Sequence, residues 1–169
     1  MVECGLKWVK VGAWPTSAWA ALVLLTGTYS RTLDDKKRLA LPKRVREQLD
    51  DPATLFVTPG PDQCLWLYTQ QGLDQLADKL DKAPAADAEA RVFRRLYFAQ
   101  TEAVDLDRSG RILVPERLVQ FAGLQRDVVL LGVRDHLELW DGQRWQEYLT
   151  RNAPRFDAVA EGAFRKDED

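Results

Sequence analysis

Two aspartate–arginine pairs have the residue types and spacing to act on an anionic partner. Asp34 and Arg38 lie four residues apart, and Asp107 and Arg111 repeat this spacing later in the chain. The two carboxylates could form an acid–base pair, but an adjacent arginine would keep each one ionised and lower its pKa. An arginine at a hairpin tip, held by an aspartate, can instead donate to a phosphate or to O6 and N7 of guanine. Spacing alone does not decide between a pair that binds DNA and a pair that only fixes the turn.

Residues suited to catalysis or metal binding are scarce. The one histidine, His136, lies in an alternating strand pattern, where a packed or surface histidine outweighs a catalytic one when no partners are in view. Cys4 and Cys64 lie in unrelated contexts and predict neither a disulfide framework nor a metal site, which favours a reducing compartment. We therefore predict that the protein is not an enzyme and requires no cofactor or metal.

The elements that must position the two pairs form an internal repeat. Residues 33–42, Leu-Asp-Asp-Lys-Lys-Arg-Leu-Ala-Leu-Pro, return at residues 106–115 as Leu-Asp-Arg-Ser-Gly-Arg-Ile-Leu-Val-Pro. Each copy predicts a polar turn, a short apolar strand and a helix that begins at a proline, where the missing N–H costs nothing. The match extends to a strand pair farther along each copy, the second strand being one residue out of step. The duplicated unit is therefore nearly half of the chain.

Composition and charge limit the possible classes of protein. The 169 residues are 46% apolar and 30% charged, which predicts a globular protein with one core or two small fused cores, and the duplication favours two. The net charge of −2 is unfavourable for binding nucleic acid. However, residues 34–46 contain six cations and two anions, whereas residues 107–119 contain three cations and two anions. The first repeat is therefore favoured as the copy that faces phosphate.

The sequence divides into five parts. An N-terminal extension covers residues 1–26, a first repeat covers 27–82, and a linker followed by an amphipathic helix covers 83–98. The second repeat covers 99–151, and we predict that 152–169 form a disordered tail because the charged ending has no apolar stripe.

The doubled Asp-x-x-x-Arg pattern resembles that of the MraZ family of bacterial transcriptional regulators. Residues 29–34 (Tyr-Ser-Arg-Thr-Leu-Asp), 121–124 (Phe-Ala-Gly-Leu) and 137–141 (Leu-Glu-Leu-Trp-Asp) also resemble the family, and the resemblance covers about residues 27–149. It implies an α+β fold in which two AbrB-like swapped-hairpin β-barrel halves are fused in one chain with flanking helices. It also implies a ring-like homo-oligomer, in which linked copies gain the avidity that one modestly charged loop lacks.

The resemblance further implies a function and a set of binding residues. The expected protein is a cytoplasmic, nucleoid-associated regulator of the division and cell-wall gene cluster, which binds TGGG-type direct repeats in double-stranded DNA upstream of its own operon. Its expected DNA-binding residues are Arg31, Asp34, Lys36, Lys37, Arg38, Lys43, Arg108 and Arg111. Two alternatives stay open, namely an AbrB-like antitoxin or transition-state regulator and an oligomeric interaction protein that does not bind DNA.

One position departs from the family pattern. The family usually has glycine where Lys37 stands, as the second repeat has at Gly110. If this position requires a positive φ, Lys37 is mildly strained or the first turn has a different shape.

Residues 1–26 differ in composition from the rest of the chain. They contain an apolar run at residues 18–25, which is too short to cross a membrane and lacks a clean signal-peptide cleavage site. The codons of residues 4–5, 8–9 and 11–12 can each contain TGGG, at intervals of about one turn of B-DNA. We therefore expect this segment to be translated operator, with the true start near Leu24. The alternative is a genuine N-terminal segment.

Overall fold

A computed structural model describes residues 24–81 and 87–165 of the chain. The predicted translated operator lies outside the described residues except at its end, and so do the first part of the linker and the last four residues of the chain. Within the described ranges, no helix is long and apolar enough to cross a membrane.

The elements follow the predicted order of two similar units. The strands are β1 (Leu25–Thr32), β2 (Arg38–Ala40), β3 (Thr54–Pro59), β4 (Leu65–Tyr68), β5 (Glu102–Asp105), β6 (Arg111–Leu113), β7 (Asp127–Arg134) and β8 (His136–Asp141). The helices are α1 (Lys43–Gln48), α2 (Gln70–Asp81), α3 (Ala88–Phe98), α4 (Glu116–Ala122), α5 (Gly142–Asn152) and α6 (Phe156–Arg165). Two 3-10 turns, Pro61–Gln63 and Ala153–Arg155, complete the set. The predicted mixture of helix and sheet is confirmed.

The two repeats exchange their first strands. Six antiparallel strands form one sheet in the order β1-β7-β8-β4-β3-β5, so β1 pairs with β7 of the second repeat and β5 pairs with β3 of the first. Strands β2 and β6 form a separate antiparallel pair, which we call the β2–β6 ladder. The sheet of the described residues does not close, because β1 and β5 are its two edges.

A glycine allows the first strand to reach its partner. A Cβ atom added at Gly132 of β7 would lie 2.4 Å from the backbone nitrogen of Thr26 in β1. Any larger residue would therefore push β1 away from β7 and weaken the longest strand pairing between the repeats.

The expectation of two fused cores is wrong, since both repeats contribute to one continuous apolar cluster. Leu39 of β2 faces Ile112 of β6, and both are fully buried. Leu65 and Leu67 of β4 pair with Leu139 and Leu137 of β8 on the inner face of the sheet, in the same cluster. The exchange of strands explains this result, because each repeat covers the apolar face of the other.

The predicted disorder of the tail is also wrong for the residues that the structure describes. The chain leaves α5 through the turn Ala153–Arg155 and forms α6. Phe156, Val159 and Phe164 recur near the helical period, an amphipathic pattern that the prediction missed because it relied on the charged ending beyond α6. Unlike a typical apolar stripe, these side chains remain 72%, 54% and 76% exposed.

Helix α3 is the amphipathic helix that was predicted to follow the linker and to end at residue 98. Its N-terminus is capped by Asp87, whose carboxylate accepts hydrogen bonds from the backbone N–H groups of Glu89 and Ala90. Its apolar side is formed by Val92, Phe93, Leu96 and Tyr97, of which only Tyr97 is buried. The helix therefore presents an apolar surface to its surroundings.

Candidate nucleic-acid interface

The first aspartate–arginine pair is built into a tight turn. Asp34 Oδ1 accepts hydrogen bonds from the backbone N–H groups of Lys36 and Arg38, both at 2.9 Å. Asp34 Oδ2 accepts a third hydrogen bond from Arg38 Nε at 2.7 Å. The backbone N–H of Arg38, followed by its guanidinium, holds the pKa of the Asp34 carboxyl below its ordinary value. The carboxylate therefore stays charged and fixes both the turn and the arginine.

The second pair reproduces this geometry. Asp107 Oδ1 accepts from the backbone N–H groups of Ser109 and Arg111 at 2.8 and 3.0 Å. Asp107 Oδ2 accepts from Nε and Nη2 of Arg111, both at 2.8 Å. The backbone N–H of Arg111 is the main cause that lowers the pKa of Asp107. The predicted placement of each pair across a tight turn is thus confirmed in both copies.

The β2–β6 ladder brings the two arginines onto one surface. Its three rungs are Arg38–Leu113, Leu39–Ile112 and Ala40–Arg111. Side chains alternate along a strand, so the central rung faces the core while Arg38 and Arg111 lie together on the outer face. They are diagonal neighbours, about 7–8 Å apart by ordinary sheet geometry. One short surface therefore presents two oriented guanidinium groups.

The first repeat also contributes a cation to the second turn. A Cβ atom at Gly110 would lie 2.7 Å from Nε of Arg46 in α1, so the Arg46 side chain lies directly over this glycine. The contact follows from the ladder, where the backbone N–H of Leu41 donates to the carbonyl of Gly110 at 3.0 Å. Arg46 is one of the six cations of residues 34–46 and is not among the binding residues expected from the sequence. Nothing in its local sequence indicates a contact with the other repeat.

At the position where the sequence departs from the family, the two turns have different residues but the same backbone conformation. Lys37 has φ 59° and Gly110 has φ 70°, so both turns require the left-handed conformation. The predicted strain at Lys37 is confirmed, and such a conformation costs on the order of 1 kcal/mol for a residue with a side chain. The hydrogen bonds of Asp34 maintain the turn shape despite this cost.

The remaining predicted binding residues do not all lie near the two turns. Lys36 and Arg108 are exposed within the two turns, and Lys43 is exposed at the start of α1, where Nζ lies 3.5 Å from Glu47. Arg31 is not brought to the turns. Its Nη1 donates to the carbonyl of Ser30 at 2.9 Å, and it lines a cavity of about 730 Å³ beside Trp145 of α5.

His136 belongs to a packed polar cluster on the outer face of the sheet. Its Nδ1 lies 2.6 Å from Asp135 Oδ1 and its Nε2 lies 3.5 Å from Glu138 Oε1. Glu138 also accepts hydrogen bonds from Nε1 of Trp66 at 3.1 Å and of Trp140 at 2.8 Å. Burial alone would lower the pKa of His136, but the nearby carboxylates of Glu138 and Asp135 raise that pKa above the ordinary value. Of the packed and surface environments that the sequence left open for His136, the structure has the packed one.

Cys64, the other residue considered for chemistry, is unreactive. Burial, with smaller effects of Glu138 and Asp62, raises the pKa of the Cys64 thiol to about 12, so the reactive thiolate is not populated at neutral pH. Among the described residues, no group of histidine, cysteine, aspartate and glutamate side chains could hold a metal ion.

The fold and these turns define a class of protein, namely a tandem α+β duplication with an Asp–Arg turn in each half. A profile of the family described as "MraZ protein, putative antitoxin-like" matches residues 24–96 and again residues 97–166. The chain therefore belongs to the MraZ family.

Curated relatives match most of the chain. It is 39% identical over 138 residues to the transcriptional regulator MraZ of Moorella thermoacetica, which covers 82% of this chain and 95% of the relative. The transcriptional regulator MraZ of Heliobacterium modesticaldum is 37% identical over the same coverage. That of Thermomicrobium roseum is 39% identical over 122 residues, 72% of this chain and 84% of the relative. The family is thus one of transcriptional regulators.

Proposed function

We propose that the protein is a sequence-specific DNA-binding regulator that recognises TGGG-type direct repeats upstream of its own operon, in the division and cell-wall gene cluster. Its relatives carry the name of transcriptional regulator, which supports regulation in general. The observation that carries DNA binding is the presence of Arg38 and Arg111 on one face of the β2–β6 ladder. Such a regulator acts at the nucleoid, in the cytoplasm.

Each turn supplies an oriented donor to a base. Asp34 holds Nε of Arg38, and the two terminal nitrogens of that guanidinium make no hydrogen bond within the part of the chain that the structure describes. They match the bidentate geometry of O6 and N7 of guanine, the base that fills three of the four positions in TGGG. Lys36, Lys37, Lys43 and Arg108 contribute charge for the phosphates beside the bases.

A single copy has little charge with which to bind DNA, since the net charge is −2. We infer a ring-like homo-oligomer, because several linked ladders on successive repeats raise the effective concentration of each contact. The exchange of β1 and β5 between repeats supports the AbrB-like arrangement of interleaved hairpins, with both hairpins supplied by one chain. Repeats one helical turn apart present the same groove to successive copies.

Two alternative functions predict experimental results that differ from those of this proposal. Only the family description favours an antitoxin. Binding to a purified partner toxin would distinguish an antitoxin from the proposed regulator. An interaction protein without DNA binding would use the same turns as purely structural devices, since all three hydrogen bonds of Asp34 lie within its own turn. Only a titration with DNA separates this alternative from the proposal.

The test is a titration of the protein with a duplex of TGGG direct repeats and with a scrambled duplex, at two salt concentrations. We expect preference for the repeats, and we expect Arg38→Ala to lose about 1–3 kcal/mol per base contact, multiplied across linked copies. Lys79→Ala is the matched control, because it removes a cation that is paired with Asp135 at 3.7 Å, away from the ladder. Equal affinity for both duplexes, or equal losses in the two variants, would overturn the proposal.

A further inference from the structure

Leu113 places an apolar side chain on the outer face of the β2–β6 ladder. It lies directly opposite Arg38 in one rung, and Ala40 lies opposite Arg111 in another, so these four side chains form the outer face. Leu113 is 57% exposed, although leucine is a residue that proteins usually bury. The surface that presents two oriented guanidinium groups therefore also presents a large aliphatic group.

The fold does not require a large apolar residue at this position. Leu113 is the residue of the second repeat that corresponds to Ala40 in the first. The first repeat forms the equivalent strand with a single methyl group there, so the ladder does not depend on the size of this side chain. An isolated exposed leucine is ordinary on a protein surface. Here, however, its neighbours are the two arginines that are proposed to contact bases.

The major groove of DNA offers an apolar group to such a side chain. The groove admits a two-stranded β-ribbon, and the apolar group that base edges display there is the C5-methyl group of thymine. Residues directly opposite each other in an antiparallel pair have Cβ atoms about 4.5–5.5 Å apart. Neighbouring bases are about 3.4 Å apart along one DNA strand. A side chain opposite Arg38 can therefore reach the base pair beside the one that Arg38 contacts.

We propose that Leu113 contacts the C5-methyl group of a thymine next to the guanine that Arg38 binds, and that this contact determines the specificity for that base pair. The inference rests on the proposed function and deepens it, because TGGG has one thymine beside its run of guanines. The complementary strand, ACCC, has no thymine, so each repeat core offers a single methyl group. The guanines are recognised by hydrogen bonds, and the thymine is recognised by an apolar contact.

Replacement of thymine by deoxyuridine tests the contact without altering the protein. Deoxyuridine pairs with adenine as thymine does and lacks only the methyl group. In a titration of the wild type, we expect deoxyuridine in the TGGG core to weaken binding about fourfold per contact, the value for one buried carbon, and linked copies multiply the loss. Deoxyuridine in the spacer between the cores is the matched control and should leave the affinity unchanged. Equal losses from the two placements would overturn the proposal.

The same duplexes with a protein variant identify the residue that contacts the methyl group. Leu113→Ala should bind the thymine duplex more weakly than the wild type and should bind the thymine and deoxyuridine duplexes equally, since the partner of the methyl group is gone. A leucine that only supported the Arg38 side chain would leave the deoxyuridine penalty unchanged. Val133→Ala is the matched control, because Val133 is an exposed apolar residue of β7 outside the ladder. It should retain both the wild-type affinity and the full deoxyuridine penalty.

The results distinguish failure of this inference from failure of the proposed function. A wild type that prefers the TGGG repeats to a scrambled duplex, yet binds thymine and deoxyuridine cores equally, would overturn the role of Leu113 and leave the proposed function intact. A deoxyuridine penalty that persists in Leu113→Ala would have the same meaning. A wild type without preference for the repeats would overturn the proposed function, and the inference with it. The measurements on the wild type do not depend on the folding of any variant.

Discussion

Arg46 in the first repeat covers Gly110 in the second. The contact is so close that a Cβ at Gly110 would clash with the Arg46 guanidinium. Arg46 therefore places a positive charge beside the second turn, while its Nη1 lies 3.5 Å from Asp51 of its own repeat. The two turns are more alike in charge than the comparison of residues 34–46 with 107–119 predicts.

The first prediction concerns Arg46. Arg46→Ala should weaken binding to the TGGG duplex and reduce the slope of log affinity against log salt by about 0.9, the value for one released counterion. Arg46→Lys is the control, since it retains the charge and should retain the slope. Titrations at four salt concentrations provide the measurement, and an unchanged slope in Arg46→Ala would show that this cation does not approach phosphate.

The second prediction separates the two roles of Asp34. In Asp34→Asn the amide oxygen still accepts from the backbone N–H groups of Lys36 and Arg38, but the charge that holds the Arg38 guanidinium is lost. We expect the melting temperature to change little and operator affinity to fall. Wild-type affinity in this variant would mean that Asp34 serves only the turn.

The third prediction uses the difference between Lys37 and Gly110. Lys37→Gly should leave stability within about 1 kcal/mol of wild type, because relief of the left-handed strain is offset by the entropy of glycine in the unfolded chain. Gly110→Ala should destabilise by about 1–2 kcal/mol, because alanine is strained at φ 70°, whereas the flexible Arg46 side chain can move away from the added methyl group. Urea denaturation measures both. Equal effects of the two changes would contradict the geometry of the second turn.

The fourth prediction is a pH dependence set by His136. Its pKa is raised in the folded state, so the stabilisation by Asp135 and Glu138 is complete below the unfolded pKa of about 6.5 and is lost as the pH rises through the folded pKa. The free energy of unfolding should therefore fall as the pH increases above about 6.5. His136→Gln should remove this component of the slope. Identical pH profiles in the two proteins would exclude the effect.

Much of the local structure could be predicted from the sequence, because it depends on residues close together in the chain. The turn at Asp34 is an example, since each of its three hydrogen bonds joins residues no more than four positions apart. The bounds of α3 were likewise predictable from its capping residue and its periodic apolar positions. Local pattern is sufficient for such elements.

The packing of the two repeats against each other could not be predicted from local sequence patterns. Two similar repeats can bury their apolar faces separately or against each other, and the alternation of residues in β1 or β3 is the same in both cases. The exchange of strands, the single core and the contact of Arg46 with Gly110 all follow from that choice. Periodicity also cannot tell whether an apolar helix face is covered by the same chain, which is why the exposure of Phe93 and Phe156 was not foreseen.

The pairing of β1 with β7 has a consequence for synthesis of the protein. About a hundred residues separate these strands, so at roughly 5–20 residues per second the ribosome adds β7 some 5–20 seconds after β1. Strand β2 likewise waits for β6 before the ladder can form. A half-made chain therefore cannot present both arginines on one surface, and prematurely terminated products lack the two-arginine face of the complete protein.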